Sequence, residues 1–394
     1  MYARRRAALL LVLAGLAIAA FLLLRGGDDA PSYSPVNLKD DPWAYSPDRE
    51  ADFEKRAAAG HSHVVYVKSP GGIVATAERV ERWRPQVEAA AAVAGVDPDL
   101  IEGMVLLESA GREDARAGDD LEGAAGLTQI LAETATSLLG LNVDVAASER
   151  LTRRLGNARG PRQAARLRAA RARVDERFDP KKALAATGRY LKQAKDRFGR
   201  EDLAVVSYHM GMGNLEQLLG AYGDDRASYT QLYFDSSPDS HPRAYRFLAG
   251  LGDDSKTYLW RVLASSNVMR LYRDDRAELE RLAELQAAAP SGARVLHPSD
   301  EGGPLRREAY ALLAYIRKGV RTVSGVRAPL RVVARRGFDF DVRRKYASGA
   351  QAEAFQYMLD RLQALDLIAW ARQGNRIHVT ASSEGKRLLD VAPG

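Results

Sequence analysis

From Val74 to Arg273 the apolar residues recur at helical spacing, broken only by short Gly, Pro and Asp punctuation. That pattern confines this part of the chain to a mainly α fold. The runs "VATAERVERWRPQVEAAAAVAG" and "DPDLIEGMVLLESAG" are separated at Gly95-Val96-Asp97-Pro98, where Asp97 can cap the second helix and Pro98 can open it. Further helical runs follow at "DPKKALAATGRYLKQAKDRFG", "EDLAVVSYHMGMGNLEQLLGAYG" and "SKTYLWRVLASSNVMRLYR". Within them Trp83, Tyr190 and Trp260 fall at helical spacing and are expected in the core.

Upstream, Arg4, Arg5 and Arg6 precede an uncharged apolar run, Ala7 to Leu24, closed by Arg25. Eighteen helical residues reach about 27 Å, near the thickness of a hydrocarbon core. The expectation is one N-terminal transmembrane helix over residues 1–25, with its basic tip in the cytoplasm and the rest of the chain outside, in the cell envelope. A cleaved signal peptide ending at Ala17-x-Ala19 is the alternative, but Phe21 to Leu24 continue the apolar run past that point. Residues 26–72 read as a linker rich in Asp, Pro and Ser, with a short strand at "HVVYV", His63 to Val67. The chain of 394 residues has no cysteine, which excludes disulfides and thiolate chemistry, and its net charge of +7 suits an anionic partner.

Chemistry concentrates in "LLESAGREDARAGDDLEGAAGLTQI", Leu106 to Ile130. A carboxyl on the last turn of an apolar helix, Glu108, is partly desolvated, and desolvation raises its pKa. A carboxylic acid still protonated near neutral pH is a competent proton donor to a glycosidic oxygen. Two-carboxylate glycosidases need a partner, and Asp114, Asp119, Asp120 and Glu122 lie in the polar gap that follows. Downstream, the small residues of "GAAGLTQI" allow close backbone approach to a ligand, and Gln129 offers an amide at its edge.

Read in order, Glu108-Ser109, Gly123-Ala-Ala-Gly126-Leu-Thr-Gln129, Ser207-Tyr208-His209-Met210-Gly211-Met-Gly213 and Tyr258 resemble the motifs of lytic transglycosylases of the soluble-lytic-transglycosylase type. The resemblance covers roughly residues 75 to 275. It implies a lysozyme-like helical catalytic domain over 73–285 acting on peptidoglycan glycan strands, without a cofactor. It further implies that Glu108 is the single general acid and then base, that the substrate's acetamido group replaces the second carboxylate, and that a 1,6-anhydro ring closes without water. Ser109, Gly126, Gln129, Tyr208, His209, Gly211 and Tyr258 would bind and orient the sugar. Three departures stand out: His209 where the family carries Asn, Thr128 where Met is common, and a longer, acidic stretch between Glu108 and Gln129. A muramidase that uses water, or an inactive peptidoglycan-binding scaffold, are the alternative readings.

Residues 149–178 carry ten arginines around Gly160-Pro161 and read as a solvated pair of helices. Anionic wall polymers, acidic stems or lipid headgroups are the partners such a surface would fit; without interleaved aromatic residues it does not suggest nucleic acid. His61 and His63 would share one face of a strand, with no third metal ligand near them in the sequence. After a second linker, 286–304, residues 305–394 mix helices ("REAYALLAYIRKGV", "GAQAEAFQYMLDRLQAL") with strands ("PLRVVA", "RIHVTAS"), a small α+β module. Its "RRGFDFDVRRKYASGAQ…NRIHVT" stretch resembles a D-Ala-D-Ala carboxypeptidase module. Asp341 and His378 then fall on zinc-ligand positions, Ala334 replaces a ligand histidine, and Asn375 stands where an acid is expected. The resemblance therefore implies a degenerate, metal-free relic.

Overall fold

The computed structural model describes residues 41–287, 294–296 and 304–388. The apolar run Ala7 to Leu24 lies outside them; among the described residues no helix is long and apolar enough to cross a membrane.

The centre of the molecule is the helix Pro98–Ser109. Asp97 accepts a hydrogen bond from Asp99 N at 2.9 Å and Pro98 occupies the first turn, as the sequence demands. Leu100, Ile101, Met104 and Val105 are buried around it, and Ala110 ends the helix in the left-handed region at φ 54°. The helix Tyr258–Asp274 packs along it. Their closest approach is at Gly103, where a Cβ would sit 2.4 Å from Ser266 Oγ and 2.6 Å from Val262 O. This approach sets the distance between Glu108 and Tyr258, one on each helix. The helices Arg84–Ala94 and Pro180–Phe198 make a second extensive pair on the other flank. Trp260 and Tyr190 are core side chains as expected, and Trp83 is partly buried.

The stretch before the helix Pro98–Ser109 differs from the expectation of a linker over residues 26–72. Residues Glu50–Gly60 form a helix with Phe53, Ala57 and Ala58 buried, and Trp43 is fully enclosed. The apolar stripe is only three side chains wide, so it hardly registers in a polar sequence, yet it meets the ring of Phe234 edge-on at 4.8 Å. His63–Val67 is likewise a helix, not a strand. Its β-branched residues favour an extended chain only where a neighbouring strand is available, and tertiary packing overrides that preference here. His63 Nδ1 pairs with Gln286 Oε1 at 2.8 Å on the helix Arg276–Ala287.

The C-terminal residues form a four-stranded antiparallel sheet in the order β1-β2-β4-β3, made of β1 (Val332–Arg336), β2 (Asp339–Arg343), β3 (Ile368–Gln373) and β4 (Arg376–Ala381). The helices Arg307–Ser324 and Gly349–Ala364 pack on it. The module is not set apart: one continuous hydrophobic cluster runs from Trp43 to Leu388. Arg361 spans the junction, donating to Phe234 O at 2.6 Å and Trp43 O at 2.8 Å. Lys256 pairs with Asp360 at 2.8 Å just ahead of Tyr258.

Candidate active site

Glu108 lies on the last turn of Pro98–Ser109, partly buried, and its Oε1 accepts a 2.7 Å hydrogen bond from the Tyr258 hydroxyl. Burial pushes its carboxyl up to about 7; the Tyr258 hydrogen bond opposes that rise and the Asp254 carboxylate adds to it. Tyr258 is itself 1% exposed, and burial beside Glu108 holds its phenol well above the ordinary range, so it stays a neutral donor.

His209 stacks on the Tyr258 ring with centroids 4.8 Å apart. Its Nδ1 lies 2.8 Å from Ser255 Oγ and its Nε2 lies 3.4 Å from Asp254 Oδ1. Both ring nitrogens are thus occupied by side chains on the segment leading into Tyr258, which makes His209 a brace for that ring. Asp254 also pairs with Arg261. Ligand atoms of His209, Asp253 and Asp254 come within 4.8 Å of one another, but Arg261 already compensates Asp254.

The Gly-x-x-Gln segment closes a short ladder that sequence reading did not anticipate. Ala125 and Ile130 exchange hydrogen bonds of 3.1 Å, Gly126 N donates to Ala115 O at 2.9 Å, and Ala117 N donates to Ala124 O at 3.0 Å. Gly126 has φ 81°, and a Cβ there would fall 1.9 Å from Arg177 O, so only glycine fits. Gln129 adopts φ 50° and its Nε2 donates back to Gly126 O at 2.8 Å, which fixes the amide. Tyr208 reaches over from its helix, Glu201–Met210, and donates to Thr128 O at 2.7 Å. Thr128, in place of the bulkier residue, is fully buried and its Oγ1 accepts from Thr187 Oγ1 at 3.0 Å. Gly211, at φ 85°, is the joint between that helix and Met212–Tyr222.

Two expectations fail at this level. Ser109 is 1% exposed and its hydroxyl bonds Val105 O at 3.1 Å. Successive helical residues are about 100° apart, so a Glu108 that faces outward turns Ser109 into the core, where it cannot orient a sugar. The Arg-rich stretch is also not wholly solvated. Arg171 is buried with its guanidinium 3.7 Å from the centre of the Phe178 ring, and Arg177 is fully buried. Arg177 forms a two-pronged pair with Asp175, both contacts at 2.9 Å, and donates to Leu121 O at 2.7 Å, Gly123 O at 2.8 Å and Ile130 O at 3.3 Å. It is the latch of the Gly-Gln loop. Nothing in its spacing distinguishes it from its nine neighbours, and the two acids just before it, Asp175 and Glu176, do not say which of them would pair with it.

Three of the four acids expected in the polar gap face other groups: Asp114 faces Arg168 at 3.8 Å, Asp119 faces Arg116 at 3.9 Å, and Asp120 accepts from Glu122 N at 2.8 Å. Among the described residues the charges that act on Glu108 are those of Asp254 and Arg261. His61 and His63 do not form a pair: His61 Nδ1 lies 2.9 Å from Ala57 O and burial pushes its imidazole down to about 4, while His63 turns to Gln286. In the C-terminal sheet Asp341 and His378 are brought together in register across β2 and β4, Oδ1 to Nδ1 at 2.8 Å. Ala334 stands opposite Asp341 on β1 and offers no ligand atom.

Residues 159–230 match the family model described as "Transglycosylase SLT domain". The match spans Tyr208, His209 and Gly211 and stops short of Glu108, Gln129 and Tyr258. It supports an enzyme that acts on peptidoglycan in the cell envelope, of the lytic-transglycosylase or lysozyme-like kind. No curated protein matches the chain.

Proposed function

We propose that the chain is a peptidoglycan lytic transglycosylase in which Glu108 serves as acid and then base. The observation that carries this reading is a half-buried carboxyl raised by burial to about 7 and held by one tyrosine, with Asp254 the one acid whose charge reaches it among the described residues. Glu108 gives its proton to the oxygen joining N-acetylmuramic acid to N-acetylglucosamine, and that bond breaks. The acetamido carbonyl oxygen closes on C1 and holds the positive charge. The Glu108 carboxylate then takes the proton of the sugar's 6-hydroxyl, O6 bonds C1, and the acetamido group is released. Glu108 ends protonated as it began, so no water is consumed. Tyr208 and Gln129 flank the sugar from the loop side, with Gly126 and Gly211 giving the backbone its approach. The Ala7 to Leu24 run, behind its three arginines, holds the enzyme at the membrane. The C-terminal module braces the catalytic region through Arg361 and Lys256–Asp360 instead of hydrolysing peptide.

Mass spectrometry of products released from purified peptidoglycan tests the reading. Anhydro-muropeptides are expected; products with reducing ends would replace it with a water-using muramidase, and retained wall binding without products would replace it with a scaffold.

The pH dependence has a definite sign. The acid step needs protonated Glu108, so kcat/KM falls above about pH 7, approaching tenfold per unit. Because folding raises this pKa, the stability that Glu108 contributes is full below the ordinary carboxylate range and is lost as pH rises through about 7. Tyr258→Phe removes a donor that favours the carboxylate, so the alkaline limb of the pH–rate profile moves to higher pH. A limb that stays put, or moves down, would remove Tyr258 from contact with the acid.

A further inference from the structure

The turn that leaves Glu108 forms one wall of a second cavity. Three successive carbonyls after Glu108 are each met by a side chain from that wall: Ser109 O by Arg112 Nε at 3.0 Å, Ala110 O by Arg79 Nε at 3.1 Å, and Gly111 O by Trp83 Nε1 at 3.0 Å. These bonds satisfy acceptors that the end of Pro98–Ser109 leaves open. They also draw the guanidiniums of Arg79 and Arg112 onto a cavity of about 280 Å³ that Arg82 lines as well, with Arg168 entering from the Arg-rich helix Pro161–Val174.

The charge here exceeds what helix capping requires. Among the described residues none of Arg79, Arg82 and Arg112 has a carboxylate within ion-pair distance; their hydrogen-bond partners are backbone carbonyls and the Thr76 hydroxyl. Glu113 and Asp114 also line the cavity, but Asp114 is turned toward Arg168 at 3.8 Å. Arg79 is pushed down by burial and by the neighbouring charges of Arg112 and Arg82, which outweigh the opposing Glu78 carboxylate. A guanidinium has five donors, so Arg82 and Arg112, each with one bond in the fold and otherwise exposed, retain most of theirs. Trp83, with its indole N–H tied to Gly111 O, adds an apolar wall.

We infer that this cavity binds a carboxylate of the peptide stem carried by the glycan strand, with Arg82 and Arg112 as its principal donors. Planar forks of this kind match carboxylates in two-point contact. The stem hangs from the lactyl group of the same muramic acid whose glycosidic bond faces Glu108, so an anion site beginning one helical turn beyond Glu108 meets it on the same sugar. The inference rests on the proposed function for its substrate, and it turns the general affinity of a basic surface for anions into one pocket with named donors.

Kinetics on two substrates test it: strands that carry stems, and strands stripped of them by an amidase. In Arg82→Gln/Arg112→Gln, KM on stem-bearing strands should rise about tenfold with kcat held, while both constants on stripped strands stay at the wild-type values. Equal changes on both substrates, or none on either, overturn the inference. Arg82→Gln alone touches none of the three capped carbonyls and should show the same selectivity in smaller measure, which separates recognition from damage to the helix end. Sedimentation with poly(glycerol phosphate) covers the competing anion: a double variant that loses this polymer yet keeps its stem preference assigns the cavity to a phosphate polymer and overturns the stem reading. Should the wild type cleave neither substrate, the proposed function fails on its own. Calorimetry with a free stem tripeptide then decides the pocket: binding to the wild type that the double variant loses upholds it, and no binding overturns it.

Discussion

Glu108→Gln is expected to leave peptidoglycan bound and uncut. Glutamine keeps the shape and an oxygen to accept from Tyr258, but it has no acidic proton for the glycosidic oxygen and cannot take one from the 6-hydroxyl. General acid–base catalysis by a placed side chain contributes about 10²–10⁴-fold, and here one carboxyl serves both halves of the reaction, so the loss belongs at the upper end of that range. Turnover on purified peptidoglycan and pull-down on the same material are the paired measurements. A variant within tenfold of wild type would move the acid elsewhere, with Asp254 the first to examine because its charge reaches Glu108. The same variant carries an independent signature. The wild type pays for holding an ionised, partly buried carboxylate above pH 7, and the variant does not, so Glu108→Gln should melt higher than wild type at pH 8 and show a smaller difference at pH 5.

Arg177→Ala is expected to be the most damaging single change outside the acid. It would leave the fully buried Asp175 without its counter-charge and the carbonyls of Leu121 and Gly123 without their donor, while Ile130 O would keep only the Ala125 N–H. Breaking one side of a buried pair costs about 3–5 kcal/mol, and in a protein of this size that lowers the melting temperature by roughly 5 °C. The effect on function should appear well below that temperature. The ladder that holds Gly126 and Gln129 is latched by this guanidinium, so its release opens residues 112–130 to protease and removes Gln129 from the cleft. Thermal unfolding, limited proteolysis and turnover at 20 °C give three readings. A variant that melts with wild type and keeps its loop resistant would show that the ladder holds itself. Arg177→Lys retains the charge but not the fork, and should recover only part of the loss.

Local chemistry was legible where neighbours in sequence are neighbours in space. Asp97-Pro98 starts the acid helix as its residue types require, and an apolar run ending in Glu108 places a carboxyl at a helix end whatever surrounds it. Tyr258, Tyr208 and Gln129 were singled out by the order of their motifs; in the structure Tyr258 bonds Glu108, Tyr208 bonds Thr128 O and Gln129 bonds Gly126 O. Pairings across long stretches of chain were not legible. Ser109 turns inward because the helix rotates about 100° per residue, and Arg177 is a latch because Asp175 and three carbonyls enclose it. The helix Glu50–Gly60 forms against Phe234 and the C-terminal residues, partners that lie far along the chain.

The amino-acid order by itself determined where helices start and stop and which carboxyl ends the central one, because capping, periodicity and proline geometry act within a few residues. Tertiary structure alone decided that Glu108 titrates near 7, that His209 braces Tyr258, and which arginines are buried and which remain free for an anion. Desolvation and ion pairing depend on what closes over a side chain in three dimensions, and the groups that close over these come from segments up to 150 residues away.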